Sequence, residues 1–172
     1  MSTPPDFTSA TGRSTPPRSA RAMVVGPRLF PALMNCYPPF LCAGVRVRRV
    51  APDWTAIRVT HRVRPWNWNV NRSAFGGTLF AMTDPFYAVM AARQLGPGYR
   101  IWNTTGSIDF LAPGRDTVTA TMELDPAQIE SIRSATARGE KSITTHTTEI
   151  LSADGTLVAR ASQSLYVRRA HP

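Results

Sequence analysis

The sequence predicts an α+β fold in which antiparallel strands wrap around one long central helix. Two observations support this prediction. Residues 73–92 contain one formally charged side chain, Asp84, and their apolar residues fall all around a helical wheel, which is typical of a helix buried on most sides. The segments on either side alternate apolar and polar residues, as half-buried strands do.

Before the central helix, the pattern predicts a short helix and a hairpin. Residues 27–37 are apolar enough for a short helix, which Pro38 should end because proline disfavours helical backbone in the residue before it. Residues 44–50 and 55–63 then alternate as two strands. The Ala-Pro-Asp sequence between these strands is typical of a turn, so we expect the two strands to pair.

After the central helix, the pattern predicts four more strands and one further helix. Leu95-Gly96-Pro97-Gly98 is a strong helix stop, so the central helix should end near Gln94. Asp154-Gly155 is a tight hairpin signal that joins the last two strands. The expected strands are residues 100–111, 117–124, 141–151 and 156–168, and the expected helix is residues 126–138.

The chain is long enough for one domain with a real core, preceded by a tail. Residues 1–24 consist mainly of Ser, Thr, Pro, Ala and Arg, with few apolar side chains. Such a segment cannot bury enough surface to offset its ordering entropy. We therefore expect a disordered tail at 1–24 and a single domain at 25–172.

The charge and the cysteines restrict the partners that we expect. The net charge is +9 and comes from 19 Arg and a single Lys, and these residues are scattered along the chain. We therefore expect solvated strand faces, with no nucleic-acid partner. Two cysteines and three well-separated histidines match no metal pattern, so no metal or cofactor is expected.

The same composition bears on location. No apolar run is long enough to span a membrane, and the N-terminus lacks the apolar core of a signal peptide. We therefore expect a cytoplasmic protein without membrane insertion, in a compartment that keeps both thiols reduced.

Asp84 is the main functional candidate, because a carboxylate in an apolar segment is costly unless it is paired, hydrogen-bonded or used. Gly76 and Gly77 stand just before it and would let a ligand approach the backbone at a helix start. A structural alternative remains open. Asp84 could be the N-cap of a helix that has Pro85 at its first position, with no part in chemistry.

One family shares this pattern. Phe75-Gly76-Gly77-Thr78-Leu79-Phe80-Ala81-Met82-Thr83-Asp84 follows a loop with Asn69 and Asn71, and the later segments 108–114 and 155–159 have matching turns. Over about residues 27–169 the chain resembles the hotdog-fold acyl-CoA thioesterases, in the branch related to the phenylacetate-pathway thioesterases. It departs from them in having Phe75 in place of a His, Arg72 where a Gly is common, and Pro85 directly after the acid.

The resemblance implies a hotdog fold and hydrolysis of an acyl thioester, with acyl-CoA as the expected substrate and an acyl-carrier thioester as the alternative. Asp84 would act as general base or nucleophile, the Gly77 backbone N–H would polarise the thioester carbonyl, and Asn69 would orient water. The substrate would contact the loop and the start of the helix at Asn71, Phe75, Gly76, Thr78 and Phe80.

The resemblance and the open sheet edges together imply a homodimer or a tetramer. A second function stays open at this point. A non-enzymatic acyl-binding or lipid-binding hotdog protein would keep the fold and lack turnover, and Phe75 in place of the family's His supports this alternative.

Overall fold

The computed structural model describes residues 25–170. The tail expected at 1–24 lies outside the described residues. The elements are α1 (Phe30–Cys36), α2 (Pro38–Ala43), β1 (Val45–Val50), β2 (Ala56–Arg62), α3 (Gly76–Ala81), α4 (Phe86–Leu95), β3 (Tyr99–Phe110), β4 (Thr117–Glu123), α5 (Pro126–Ala135), β5 (Lys141–Ser152) and β6 (Leu157–Arg169).

The strands form one antiparallel sheet in the order β1-β2-β4-β5-β6-β3. Residues 76–95 pack against this sheet, and their inward side chains join strand residues in a single core. Leu79, Met82, Phe86 and Met90 are all buried in it. The α+β prediction of a sheet around one central helix is confirmed.

The central helix contains an interruption, residues 82–85, between α3 and α4. Helical bonding continues as far as Asp84, whose N–H donates to the Phe80 carbonyl oxygen at 3.2 Å, and it resumes where the Val89 N–H donates to the Pro85 carbonyl oxygen at 3.2 Å. Pro85 has no N–H to donate, and its ring would clash with the Ala81 carbonyl. The proline therefore interrupts the helix immediately after the carboxylate.

The prolines at 38 and 39 begin a helix as well as ending one, which the sequence analysis missed. Tyr37 is extended, with φ −64° and ψ 120°, as a residue before proline prefers to be. Pro38 occupies the first turn of α2, where a missing N–H costs nothing. The same pair of prolines thus separates α1 from α2.

The two edge strands of the sheet, β1 and β3, differ in how their outer backbone groups are bonded. Asn35 caps the β1 edge at Val47 as a neighbouring strand would, because its Nδ2 donates to the Val47 carbonyl oxygen at 3.1 Å and its Oδ1 accepts from the Val47 N–H at 2.8 Å. At the other edge, β3 pairs only with β6 within the described residues. Trp102 and Phe110 on β3 are 39% and 59% exposed. An uncovered edge with exposed apolar residues is suited to pairing with another chain.

Two buried histidines predict how stability depends on pH. Burial lowers the pKa of His61, although backbone groups of Ala43 and Gly44 act in the opposite direction, and burial lowers the pKa of His146. In the unfolded chain both return toward the ordinary value of 6.5, so the unfolded state binds more protons as the pH falls below that value. These two histidines should therefore leave the free energy of unfolding unchanged well above pH 6.5 and lower it progressively below that pH.

Thermal unfolding followed between pH 7.5 and pH 5 measures this effect. This window lies above the range in which Asp53 and Asp154 titrate, since hydrogen bonds to Thr55 lower the pKa of Asp53 and a hydrogen bond from Ser152 lowers the pKa of Asp154 to about 2. The melting temperature should fall across the window. His146→Gln should flatten the curve, and a wild-type melting temperature that does not change across it would contradict the expectation.

Candidate active site

Asp84 lies half-buried at the interruption of the central helix. The helix α4 begins at Phe86, and its N-cap residue is Pro85, which has helical backbone angles. No side chain of residues 25–170 accepts a hydrogen bond from the first N–H groups of this helix. The alternative in which Asp84 caps this helix is therefore wrong, because the carboxylate stands one residue too early. Its side chain remains available for another role.

Asn103, on β3, holds Asp84 in place. Its Nδ2 donates to the Asp84 backbone carbonyl oxygen and lies 3.4 Å from the Asp84 Oδ1. A carbonyl oxygen can only accept, so the amide nitrogen must face Asp84. The Asn103 Oδ1 is then left buried with no hydrogen-bond partner among the described residues. It is an unused acceptor next to the carboxylate.

A second pair fixes the same interruption to the sheet. Thr83 Oγ1 donates to the Phe80 carbonyl oxygen at 2.9 Å and accepts from the Gln163 Nε2 at 2.9 Å. Thr83 and Gln163 are fully buried. Gln163 lies on β6, which pairs with β3, so two neighbouring strands each hold one residue of the interruption. The Gln163 Oε1 also lacks a partner within residues 25–170.

The glycine pair lies at the start of α3 between two aromatic rings. A Cβ on Gly76 would lie 2.8 Å from Phe110 Cζ, and one on Gly77 would lie 2.6 Å from Phe75 Cε1. Phe75 and Phe110 are 56% and 59% exposed. The glycines therefore allow two accessible rings to lie directly against the first turn of the helix. Such a surface can contact an apolar ligand.

Thr78 and Phe80, the other predicted substrate contacts on α3, point toward the interior. Thr78 is buried and Phe80 is half-buried. The Phe80 ring lies over Gly106 of β3, where a Cβ would come within 2.5 Å of its Cζ. Gly106 thus makes room for the ring on the strand that carries Asn103.

Asn69 organises the loop before α3. Its Oδ1 accepts from the Asn71 N–H at 2.9 Å, from the Ser73 N–H at 3.2 Å and from the Ser73 hydroxyl at 3.1 Å. Three donors already occupy this oxygen, so the geometry indicates a loop-shaping residue. Asn71 is exposed beside it. Of the asparagines considered, Asn103 has the free acceptor next to Asp84.

The structure therefore groups the predicted residues in two places. Asp84 lies with residues that sequence reasoning missed, Thr83, Asn103 and Gln163, while Asn69 and Asn71 lie in the loop that leads to the glycine pair. The signal that could have identified Asn103 is its strand position, since Tyr99, Ile101 and Asn103 alternate as the partly buried residues of β3.

Residues 25–170 contain neither a helix suited to crossing a membrane nor a cluster of metal ligands. No helix in this part of the chain is long and apolar enough to cross a membrane. No group of three or more His, Cys, Asp or Glu side chains is arranged there to hold a metal ion.

Solved structures with the same architecture include proteins described as thioesterases or probable thioesterases. A probable thioesterase of unknown function from Pseudomonas aeruginosa matches with a TM-score of 0.74 and 17% identity, over 84% of this chain and 97% of that one. A thioesterase from Haemophilus influenzae matches with a TM-score of 0.64 and 14% identity, over 87% and 95%. The PaaI protein of the phenylacetic acid degradation operon of E. coli matches with a TM-score of 0.56 and 21% identity, over 81% and 89%.

These likenesses confirm the hotdog fold that the sequence motifs imply. A family model described as a domain of unknown function, DUF4442, matches residues 26–167. The chain belongs to that family. No functionally curated protein matches the sequence.

Proposed function

We propose that this protein hydrolyses an acyl thioester, with acyl-CoA as the substrate class and Asp84 as the group that drives the reaction. The observation that carries the proposal is the placement of Asp84 at the interruption of the central helix, held by Asn103 and free of any capping role. Two of the structures with the same fold are described as a thioesterase and a probable thioesterase, which supports the reaction class.

Asp84 can act in either of two ways. As general base, its carboxylate takes a proton from water while the water oxygen bonds to the thioester carbon, after which the carbon–sulfur bond breaks and the thiolate leaves. As nucleophile, a carboxylate oxygen bonds to that carbon and expels the thiolate, and water then cleaves the resulting anhydride. In the first case the Asn103 Nδ2, 3.4 Å from the Asp84 Oδ1, would help to hold the carboxylate in position for the attacking water.

The start of α3 supplies the complementary group. Backbone N–H groups in the first turn of a helix have no acceptor within that helix, and they lie at its positive end. The Gly77 N–H is in this position and would polarise the thioester carbonyl oxygen. The acyl group would lie along the exposed ring of Phe75 and the half-buried ring of Phe80, with Gly76 and the exposed Asn71 completing the contact surface and the buried Thr78 packing beneath it. Asn69 would hold the loop in shape.

The proposed assembly is a homodimer joined through the β3 edge. Asn35 caps the β1 edge at Val47, while β3 is open and carries exposed Trp102 and Phe110. Pairing two β3 strands would extend the sheet and cover these rings. Sedimentation at micromolar concentration should show a dimer or a pair of dimers. A folded monomer under those conditions would contradict the assembly. We propose a cytoplasmic location for the protein.

The reaction is tested by measuring release of free thiol from acyl-CoAs of graded chain length, with aryl-CoAs included. We expect release to peak at one acyl class, whose length reports the depth of the site. The alternative function, an acyl or lipid binder without turnover, is favoured by Phe75, which stands where the family has a His. It predicts binding across the series with no thiol released.

A further inference from the structure

The net positive charge of the described residues lies in one segment of the chain. Residues 25–83 contain eight arginines and one acidic residue, Asp53, which gives a net charge of +7. Residues 84–170 contain nine basic and nine acidic residues and are neutral. The charged segment forms α1, α2, β1, β2 and the loop before α3, so β1 and β2 place much of it at one end of the sheet.

No arginine of residues 25–83 forms an ion pair with a carboxylate of residues 25–170. Within residues 25–170 the ion pairs join Arg133 to Glu130, Arg138 to Glu140 and Arg160 to Glu149, all in the neutral segment. In the charged segment Arg49 lies opposite Arg58 across the β1–β2 ladder. Like charges directly opposite each other destabilise a sheet. Arg58 lines a groove together with Glu123 and Glu149, which offset part of this charge.

The charged segment also exposes several large apolar side chains. In the loop before α3, Trp66 is 73% exposed, Val70 is 98% exposed and Trp68 is 41% exposed, and Leu41 on α2 is 48% exposed. Arginine guanidinium groups lie over both rings, Arg64 at 5.9 Å from the Trp66 centroid and Arg72 at 6.0 Å from the Trp68 centroid. These six residues are called the tryptophan-loop surface below.

The tryptophan-loop surface has a defined shape. Asn67 lies between the two tryptophans, and its Nδ2 donates to the Ala43 carbonyl oxygen at the end of α2 at 3.4 Å and to the Arg62 carbonyl oxygen at 3.1 Å. Its Oδ1 accepts from the Arg64 N–H at 2.7 Å. The loop is therefore fixed to the end of α2, the helix that carries Leu41, and its exposed side chains are presented from a tethered backbone.

We propose that the tryptophan-loop surface docks the protein on an anionic lipid membrane. Tryptophan is favoured at the boundary between headgroups and acyl chains, while exposed aliphatic side chains gain free energy by entering it. Arginines beside such residues bind lipid phosphates and are attracted by the negative surface potential. Docking of this kind places no helix across the bilayer.

Two other occupants fit less well. A second copy of the same surface would bring two sets of arginines together without acids between them, which opposes isologous pairing. Nucleic acid would satisfy the arginines, but protein–nucleic acid interfaces are predominantly polar. That leaves no favourable partner for the nearly fully exposed Val70 or for Leu41.

The test is cosedimentation of the full chain with vesicles of phosphatidylcholine alone and of phosphatidylcholine mixed with phosphatidylglycerol. We expect binding to the mixed vesicles only, decreasing as salt rises. Emission of the exposed tryptophans should shift to shorter wavelength on binding. Failure to bind the mixed vesicles at low salt, or equal binding to neutral vesicles that does not respond to salt, would overturn the proposal.

Two double variants and two controls locate the surface. Trp66→Ser/Val70→Ser should lower binding at least about 10-fold with no change in charge. Arg64→Gln/Arg72→Gln should lower it by about 5-fold per arginine removed. The charge control is Arg138→Gln/Lys141→Gln, which removes the same charge from the neutral segment, and the apolar control is Ile143→Ser, which removes a side chain 53% exposed on β5. Both controls should bind like the wild type.

An equal loss in the controls would overturn the proposal, because net charge or general exposure would then explain binding. A changed sedimentation coefficient in Trp66→Ser/Val70→Ser without lipid would assign the surface to the protein's own assembly. Duplex DNA bound by the wild type and lost in that same variant would assign it to nucleic acid. Each of these results contradicts membrane docking, and none depends on thioester hydrolysis.

Discussion

Asp84→Asn is expected to lower thioester hydrolysis by roughly 10²–10⁴-fold, the usual contribution of a positioned general base. The amide keeps the size of the carboxylate and retains an oxygen that can face the Asn103 Nδ2. It loses the charge needed to take a proton or to attack the thioester carbon. The melting temperature should hold or rise, because the substitution removes a half-buried charge that lacks an ion-pair partner within 25–170.

Asp84→Ala separates chemistry from structure. A helix cap replaced by Ala costs about 1 kcal/mol, but the structure gives Asp84 no capping bond. The Asn103 bond to the backbone carbonyl also survives the substitution. We therefore expect Asp84→Ala to be inactive and nearly as stable as the wild type. Asp116→Asn, at an exposed acid in a loop, is the matched control and should keep full activity. An active Asp84→Asn would remove the carboxylate from the mechanism.

Asn103→Leu is expected to have the next largest effect. It removes the donor that fixes the Asp84 backbone and side chain, together with the free acceptor beside them. A misplaced catalytic group costs on the order of 10²-fold in rate. The loss should appear in kcat, with KM little changed, because Asn103 positions Asp84 and does not line the proposed acyl surface. The Asp84 carbonyl also loses a partner, which costs about 1–3 kcal/mol of stability.

Thr104→Val is the control for Asn103→Leu. Thr104 is the next residue on β3, where its hydroxyl bonds to the Ser164 carbonyl oxygen at an exposed position. It should lose little stability and no activity. If Asn103→Leu loses stability alone and keeps the wild-type kcat, Asn103 is a structural clamp and its positioning role is wrong.

Much of the fold could be predicted because its signals are local. Alternation and turn signals predicted the six strands, and a long apolar run with Asp84 as its one charged residue predicted the helix that they surround. Pro85 was visible too, but proline permits either a helix start or an interruption, and the helical residues on both sides decide which occurs. Pro38 shows the same ambiguity, since one residue ends α1 and begins α2.

The candidate site could be predicted only in part. Asp84 stood out because its cost in an apolar segment is a local property. Asn103 did not, because its partner lies 19 residues away and the contact depends on β3 packing beside the interruption. Asn69 had the expected position in the loop motif, yet its hydrogen bonds to Asn71 and Ser73 are set by the turn that follows. A sequence motif gives a residue's position and does not show which donors already occupy it.

The central claim is that this fold and this carboxylate turn over a thioester. The most direct measurement is release of free thiol by the wild-type protein at an acyl-CoA concentration shown by equilibrium binding to saturate the site. We expect release of many equivalents of thiol per protein chain, with the rate proportional to protein concentration. Saturated binding accompanied by no thiol release beyond the uncatalysed rate would contradict it and would establish an acyl-binding protein instead.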